Sequence, residues 1–163
     1  MVAETATFVL AHEDCFERTP IVGHLTGSAW IVDPAGERAL LIRHRKLGKW
    51  LQPGGHADGD GDLHAVALRE AREETGLERI VAASCAIYDV DVHRIPARPG
   101  EPEHLHYDVR YAFFADPAEP LAPSAETRGA AWVPLGEIVA LGVDESVLRL
   151  AQKTPGLLDA RMR

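Results

Sequence analysis

"LREAREETGL", residues 68–77, puts Glu70, Glu73 and Glu74 within about one helical turn of an otherwise apolar stretch. Positions three and four apart share a helix face, so these like charges repel with no lysine among them. Leu63, Val66, Ala67 and Ala71 supply the apolar stripe beside them. The spacing predicts a helix from about Asp62 to Thr75. Asp62 suits its N-cap, and Gly76 followed by Leu77 suits a left-handed C-terminal cap with its apolar contact. Two readings of the acidic face are open at this point. It is a solvated surface with Arg69 and Arg72 as local partners, or a hard-oxygen site suited to Mg²⁺ or Mn²⁺.

Working outward, "GKWLQPGGHADGDGD" (48–62) is packed with Gly, Asp and Pro and reads as loop, with a short extended piece around Trp50. Before it, "LTGSAWIVDPAGERALLIRHR" reads as two strands, roughly 25–33 and 38–44, joined by a turn at "DPAG". Residues 4–17 have helical character, with Pro20 as the stop. After the acidic helix, 79–93 is one long β-prone segment, 97–103 a hairpin tip and 104–115 the returning strand. A loop (117–126), a short strand (129–135), the short helix "GEIVAL" and a helix over about 144–153 follow. Pro155 and Gly156 then fall in a tail. Strands on both sides of one central helix, with more helix at the end, indicate an α/β sandwich around a mixed sheet.

The 163 residues are 46% apolar and 26% charged, which fits one globular domain with a real core. A net charge of −8 argues against a dedicated binder of long nucleic acid or of anionic membranes. It leaves a small anionic ligand open, because such a ligand responds to local charge. Cys15 and Cys85 are the only cysteines, and apolar neighbours suggest that Cys85 is buried. The first residues lack a basic segment and read as helix rather than signal peptide. No apolar run approaches the ~18 residues that a membrane span needs. The expectation is a cytoplasmic protein.

Taken together, "GGHADGDGDLHAVALREAREETGL" (54–77) resembles the Nudix box: G, five residues, E, seven residues, then R-E-U-x-E-E-x-G-U with U a bulky aliphatic. Gly55, Arg69, Glu70, Glu73, Glu74, Gly76 and Leu77 fall on that pattern at the right spacing. Gly61 stands where the family has its first glutamate, flanked by Asp60 and Asp62, and Ala71 is a small version of the aliphatic. The likeness extends over about residues 24–141 and includes "AAWVPLGEIVAL". It implies a Nudix-type α/β/α sandwich with a mixed sheet and an additional N-terminal helix. Residues 1–163 would form one domain, with 1–20 as a helical extension and the box at 55–77. The implied activity is metal-dependent hydrolysis of a pyrophosphate bond in a nucleoside diphosphate linked to another moiety. Nucleoside triphosphates, nucleotide sugars, ADP-ribose and dinucleoside polyphosphates are the candidates. The resemblance makes Glu70, Glu73 and Glu74 ligands of Mg²⁺ (or Mn²⁺), adds the Gly54 carbonyl, and has Arg69 brace the glutamates. Family members differ in where the general base lies. Glu126 is the candidate here, its alternative being an ordinary solvated loop acid.

Residues outside the box extend the candidate site. Arg43, His44, Arg45, Lys46 and Lys49 form a local positive cluster that suits phosphates. Trp50 offers a ring for stacking on a base or for packing, and His56 borders the box within reach of phosphate. His104 and His106 share a strand face, and the hairpin could bring His93 to them, with Asp91 and Asp108 in reach. That trio reads as a substrate or metal cluster, or as the polar face of an outer hairpin. The expected partner is a small phosphorylated compound, with a homodimer left open. A non-hydrolytic nucleotide sensor on the same fold is the alternative. Diphosphate isomerase chemistry would want a cysteine in the loop before the helix, where neither Cys15 nor Cys85 lies.

Overall fold

The computed structural model describes residues 1–45, 47–125 and 127–161, without the side chains of 159–161. In chain order its elements are α1 (Val2–Ala11), β1 (Gly23–Val32), β2 (Arg38–His44), β3 (Trp50–Leu51), β4 (Gly54–His56) and α2 (Leu63–Thr75). Then come β5 (Ile80–Ala82), β6 (Asp89–Ile95), β7 (His104–Ala115), β8 (Thr127–Pro134), a 3₁₀ helix (Leu135–Leu141) and α3 (Glu145–Arg161). Among the described residues the eight strands form one mixed sheet. Its centre is the parallel pair β1–β7, in register from Gly23↔Leu105 to Val32↔Phe114. The other pairings are antiparallel: β2 and β4 with β1, β5 and β6 with β7, β3 and β8 with β2.

All ten residues of β1 are buried, as expected for a central strand covered on both faces. Leu25, Ala29 and Ile31 pack with α1 and α2, whereas Trp30 and Val32 pack with the 3₁₀ helix and α3. The predicted stripe Leu63, Val66, Ala67 and Ala71 is buried, together with Leu77. Each such Val or Leu contributes about 1.5–3 kcal/mol. At Gly27 a Cβ would lie 2.8 Å from the Leu63 carbonyl oxygen, so α2 rests directly on the β1 backbone. Both caps of α2 form: the Asp62 side chain accepts from the Ala65 N–H, and Gly76 is left-handed at φ 76°.

Besides β4, which forms within the stretch read as loop because it pairs with β1, three elements differ from the sequence expectation. The first helix ends at Ala11 rather than 17, because tertiary bonds claim the following backbone. The Cys15 carbonyl accepts from the Leu25 N–H at 2.8 Å and the Phe16 carbonyl from the Gly59 N–H at 3.0 Å. Residues 79–93 divide into β5 and β6, separated by a turn in which the Ser84 hydroxyl accepts from the Ala86 N–H. Cys85 lies on that turn and is exposed, not buried. Finally, α3 runs through Pro155 instead of stopping before it. Leu157 and Leu158 pack on the Trp30 cluster, and Gly36 leaves room for Leu158, since a Cβ there would lie 2.3 Å from its Cδ1. This packing outweighs the helix bond that the proline removes. Among the described residues no helix is long and apolar enough to cross a membrane.

Candidate functional site

Residues in β4 alternate, so Gly54 faces Ser28 while Gly55 faces α2. A Cβ on Gly55 would lie 2.4 Å from Glu70 Cδ, so glycine lets this carboxylate lie over the strand. Glu74 is buried (8% exposed), and its Oε2 accepts from the Gly54 N–H at 3.0 Å. Glu70 Oε1 accepts from Arg69 Nη2 at 3.2 Å, and the same nitrogen donates to the His56 carbonyl at 3.3 Å. Glu73 is exposed. Glu70 and Glu74 thus meet the glycine strand in two different environments, while Glu73 stands exposed on the same helix. Carboxylate oxygens are the donor type that suits a hard divalent cation. Of the two aspartates beside Gly61, Asp62 is committed to capping α2. Asp60 Oδ2 reaches to 3.9 Å from Arg69 Nη1.

The sheet face opposite α2 is polar at one end. Register places His24, Thr26 and Ser28 of β1 beside His106, Asp108 and Arg110 of β7, with His93, Asp91 and Asp89 of β6 beyond them. Asp108 Oδ1 accepts from Thr26 at 2.9 Å and Ser28 at 2.7 Å, and its Oδ2 accepts from Gln52 at 3.3 Å and Arg110 Nε at 2.7 Å. The Arg110 side chain is 2% exposed, with Asp89 at 3.7 Å and Asp91 at 3.4 Å. From α3, Arg149 donates to Asp89 at 2.8 Å and Asp91 at 2.9 Å, and Lys153 approaches Asp89 at 3.0 Å. Burial alone would raise the Asp91 carboxyl. Hydrogen bonds from His93 and Arg149, with the Arg110 charge, hold it well below the usual range instead. These buried charges are paired throughout, as burial demands, and they tie α3 to the sheet.

Beyond Asp108 the imidazoles gather. His24 lies opposite His106, and its ring centroid is 4.8 Å from His106, 4.9 Å from His104 and 5.0 Å from His56. His104 and His106 approach at 3.3 Å between their Nε2 atoms. His93 joins at the edge, 5.4 Å from the His106 ring, with Asp91 Oδ2 3.3 Å from its Nδ1. The expected hairpin trio is therefore brought together. His24 was missed, because nothing within its own segment shows that a strand some 80 residues away supplies its neighbours. Among the described residues, ligand atoms of His24, His56 and His106 lie within 4.8 Å of one another. His24 is 4% exposed, and neither ring nitrogen has a hydrogen-bond partner in the protein. Leaving such a group unsatisfied costs about 1–3 kcal/mol. Burial, reinforced by neighbouring imidazoles, pushes His24 down to about 4 and His106 to about 2, and burial lowers His56 too.

Other sequence candidates sit elsewhere. Arg43, Arg45 and Lys49 are exposed around the β2–β3 hairpin, and β1 stands between that hairpin and β7. Arg45 Nη1 donates to the Ala125 carbonyl at 3.0 Å. Trp50 is half-buried against the α3-side core, which favours packing over stacking. Lys46 and Glu126 lie outside the described residues.

The sequence model of the family described as NUDIX domain matches residues 24–152. A Bacillus subtilis (strain 168) protein named "Putative 8-oxo-dGTP diphosphatase" is 27% identical over 114 residues, 69% of this chain and 68% of its own length. Among solved structures, a C. elegans Ap4A hydrolase binary complex superposes with a TM-score of 0.64 at 17% identity, covering 83% of this chain and 98% of that one. The NUDIX domain of Shewanella oneidensis NrtR complexed with ADP ribose gives a TM-score of 0.58 at 19% identity, covering 82% and 87%. At these identities the two structures establish the fold alone.

Proposed function

Because this chain belongs to the NUDIX family and is a hydrolase of that family, we propose that it cleaves a pyrophosphate bond in a small nucleotide. The observation that carries this reading is the setting of Glu70 and Glu74 of α2 against Gly55 and Gly54, with Glu73 exposed on the same helix. We assign Glu70, Glu73, Glu74 and the Gly54 carbonyl as holders of Mg²⁺ or Mn²⁺. When bound, such a cation neutralises the polyanionic substrate and makes water a competent nucleophile near neutral pH. Arg69 is a positioning residue: its guanidinium links Glu70 to the His56 carbonyl and fixes the helix face against β4. The Gly54 N–H orients Glu74. Glu126 is our candidate general base. His93, at the edge of the histidine-lined face, is our candidate for contact with the substrate.

The chemistry named for the relatives sets the substrates to try: an oxidised nucleoside triphosphate, a dinucleoside polyphosphate and ADP-ribose. We read residues 1–163 as one domain acting in the cytoplasm, where the free thiols Cys15 and Cys85 would stay reduced. The test is a substrate screen with Mg²⁺ and with Mn²⁺, reading phosphate and pyrophosphate release, with Glu73→Gln as control. Turnover by wild type and its loss in the folded variant support the reading. Tight nucleotide binding with no turnover of any substrate would replace it with a sensor, the reading that the glycine at position 61 favours.

A further inference from the structure

We propose that His24, His56 and His106 form a binding site for one divalent transition cation, Zn²⁺ by preference, separate from the oxygen donors on α2. Three strands, β1, β4 and β7, each contribute one imidazole, and the ligand atoms already lie within 4.8 Å of one another. Tetrahedral Zn²⁺ with Zn–N of about 2.0–2.1 Å asks for nitrogens about 3.3–3.5 Å apart. Closing that difference asks the three side chains to rotate toward one another.

His24 supplies the second observation. Its ring is 4% exposed, both nitrogens lack a partner, and the His56, His104 and His106 rings surround it at 4.8–5.0 Å. A cation gives the buried lone pair the partner that the protein does not. Donor type sets the ion: neutral imidazole suits zinc, copper, nickel and iron, whereas magnesium prefers oxygen. His104 completes the arrangement as an outer partner. Its Nδ1 lies 2.9 Å from the Pro102 carbonyl, which can only accept, so Nδ1 carries a proton, and its Nε2 lies 3.3 Å from His106 Nε2 and 3.7 Å from Glu101 Oε1. Such a contact fixes the ring of a ligating histidine.

The experiment uses chelator-stripped full-length protein, titrated with Zn²⁺ by calorimetry and with Co²⁺ by visible absorption. We expect one Zn²⁺ per chain, bound equally well by Glu73→Gln. His24→Gln and His106→Gln should weaken it more than roughly 100-fold, beyond the roughly 10–100-fold expected for His104→Gln as an outer partner. Zn²⁺ binding that survives His106→Gln but disappears in Glu73→Gln would overturn the proposal. If the histidine variants do not fold, wild type still decides. Four-coordinate Co²⁺ absorbs strongly in the visible, and a faint six-coordinate spectrum, or no binding, refutes the site. The readout is metal binding, so this result and the outcome of the hydrolase screen are independent.

Discussion

Single residues of α2 separate chemistry from stability. Glu73 is exposed, so Glu73→Gln should leave the unfolding free energy from urea titration within about 0.5 kcal/mol of wild type. As a metal ligand its loss should cost kcat/KM more than the roughly 10–100-fold of an outer-shell change. Wild-type turnover in the folded variant would remove the oxygen-donor site. Glu74→Ala should behave differently, because it removes a buried side chain and leaves the part-buried Gly54 N–H without its partner, and it should cost stability as well, about 1–3 kcal/mol in a denaturation curve. Gly55→Ala probes the strand side of the same contact. The new methyl would meet the Glu70 carboxylate, the mobile end of a flexible side chain. We expect a folded protein with a displaced Glu70 and a raised metal requirement; an unchanged metal titration would show that Glu70 does not ligate from this position.

At the scale of the element, the N-terminal approach to α2 holds two aspartates with different jobs. Asp62 caps the helix, so Asp62→Ala should cost about 0.5–2 kcal/mol in thermal or urea unfolding without altering the metal requirement. Asp60 approaches Arg69 instead, so Asp60→Ala should raise the metal concentration for half activity. Gly61 has open space where a Cβ would stand, its nearest neighbour being Phe16 Cζ at 3.9 Å. Gly61→Glu is therefore expected to fold and to lower that metal concentration; no shift in either variant would mean that the gap in the acidic pattern is tolerated without compensation. α1 and α3 show how far an element can depart from its local pattern. The chain after Ala11 leaves the helix because Cys15 and Phe16 bond to β1 and the loop before α2. Leucines beyond Pro155 carry α3 past a residue that ordinarily ends a helix.

For the whole molecule, the buried imidazoles predict a pH dependence in chelator-treated protein. His24 titrates at about 4 in the fold against an ordinary 6.5, so the unfolded chain takes up its proton first. Its contribution is complete above pH 6.5 and disappears as pH falls to about 4, a loss on the order of 3 kcal/mol. His106 acts in the same direction over a wider window. Asp89 and Asp91, held below their ordinary 3.8, add their loss only in stronger acid. Urea midpoints between pH 7 and 4 check this, and a flat profile would contradict neutral burial of the histidines. The acidic helix, its two caps, the buried stripe and the strand flanks were legible in the sequence because residues within four positions, or alternate ones along a strand, decide them. The box spacing was legible for the same reason, since one loop and one helix carry it. Which strands would lie side by side was not. Parallel pairing of β1 with β7 brings Thr26 to Asp108, 82 residues apart, and by the same register sets His24 against His106. No local propensity encodes that register. It follows from burying both faces of β1 at once, and only the folded sheet could turn scattered histidines and acids into a shared face.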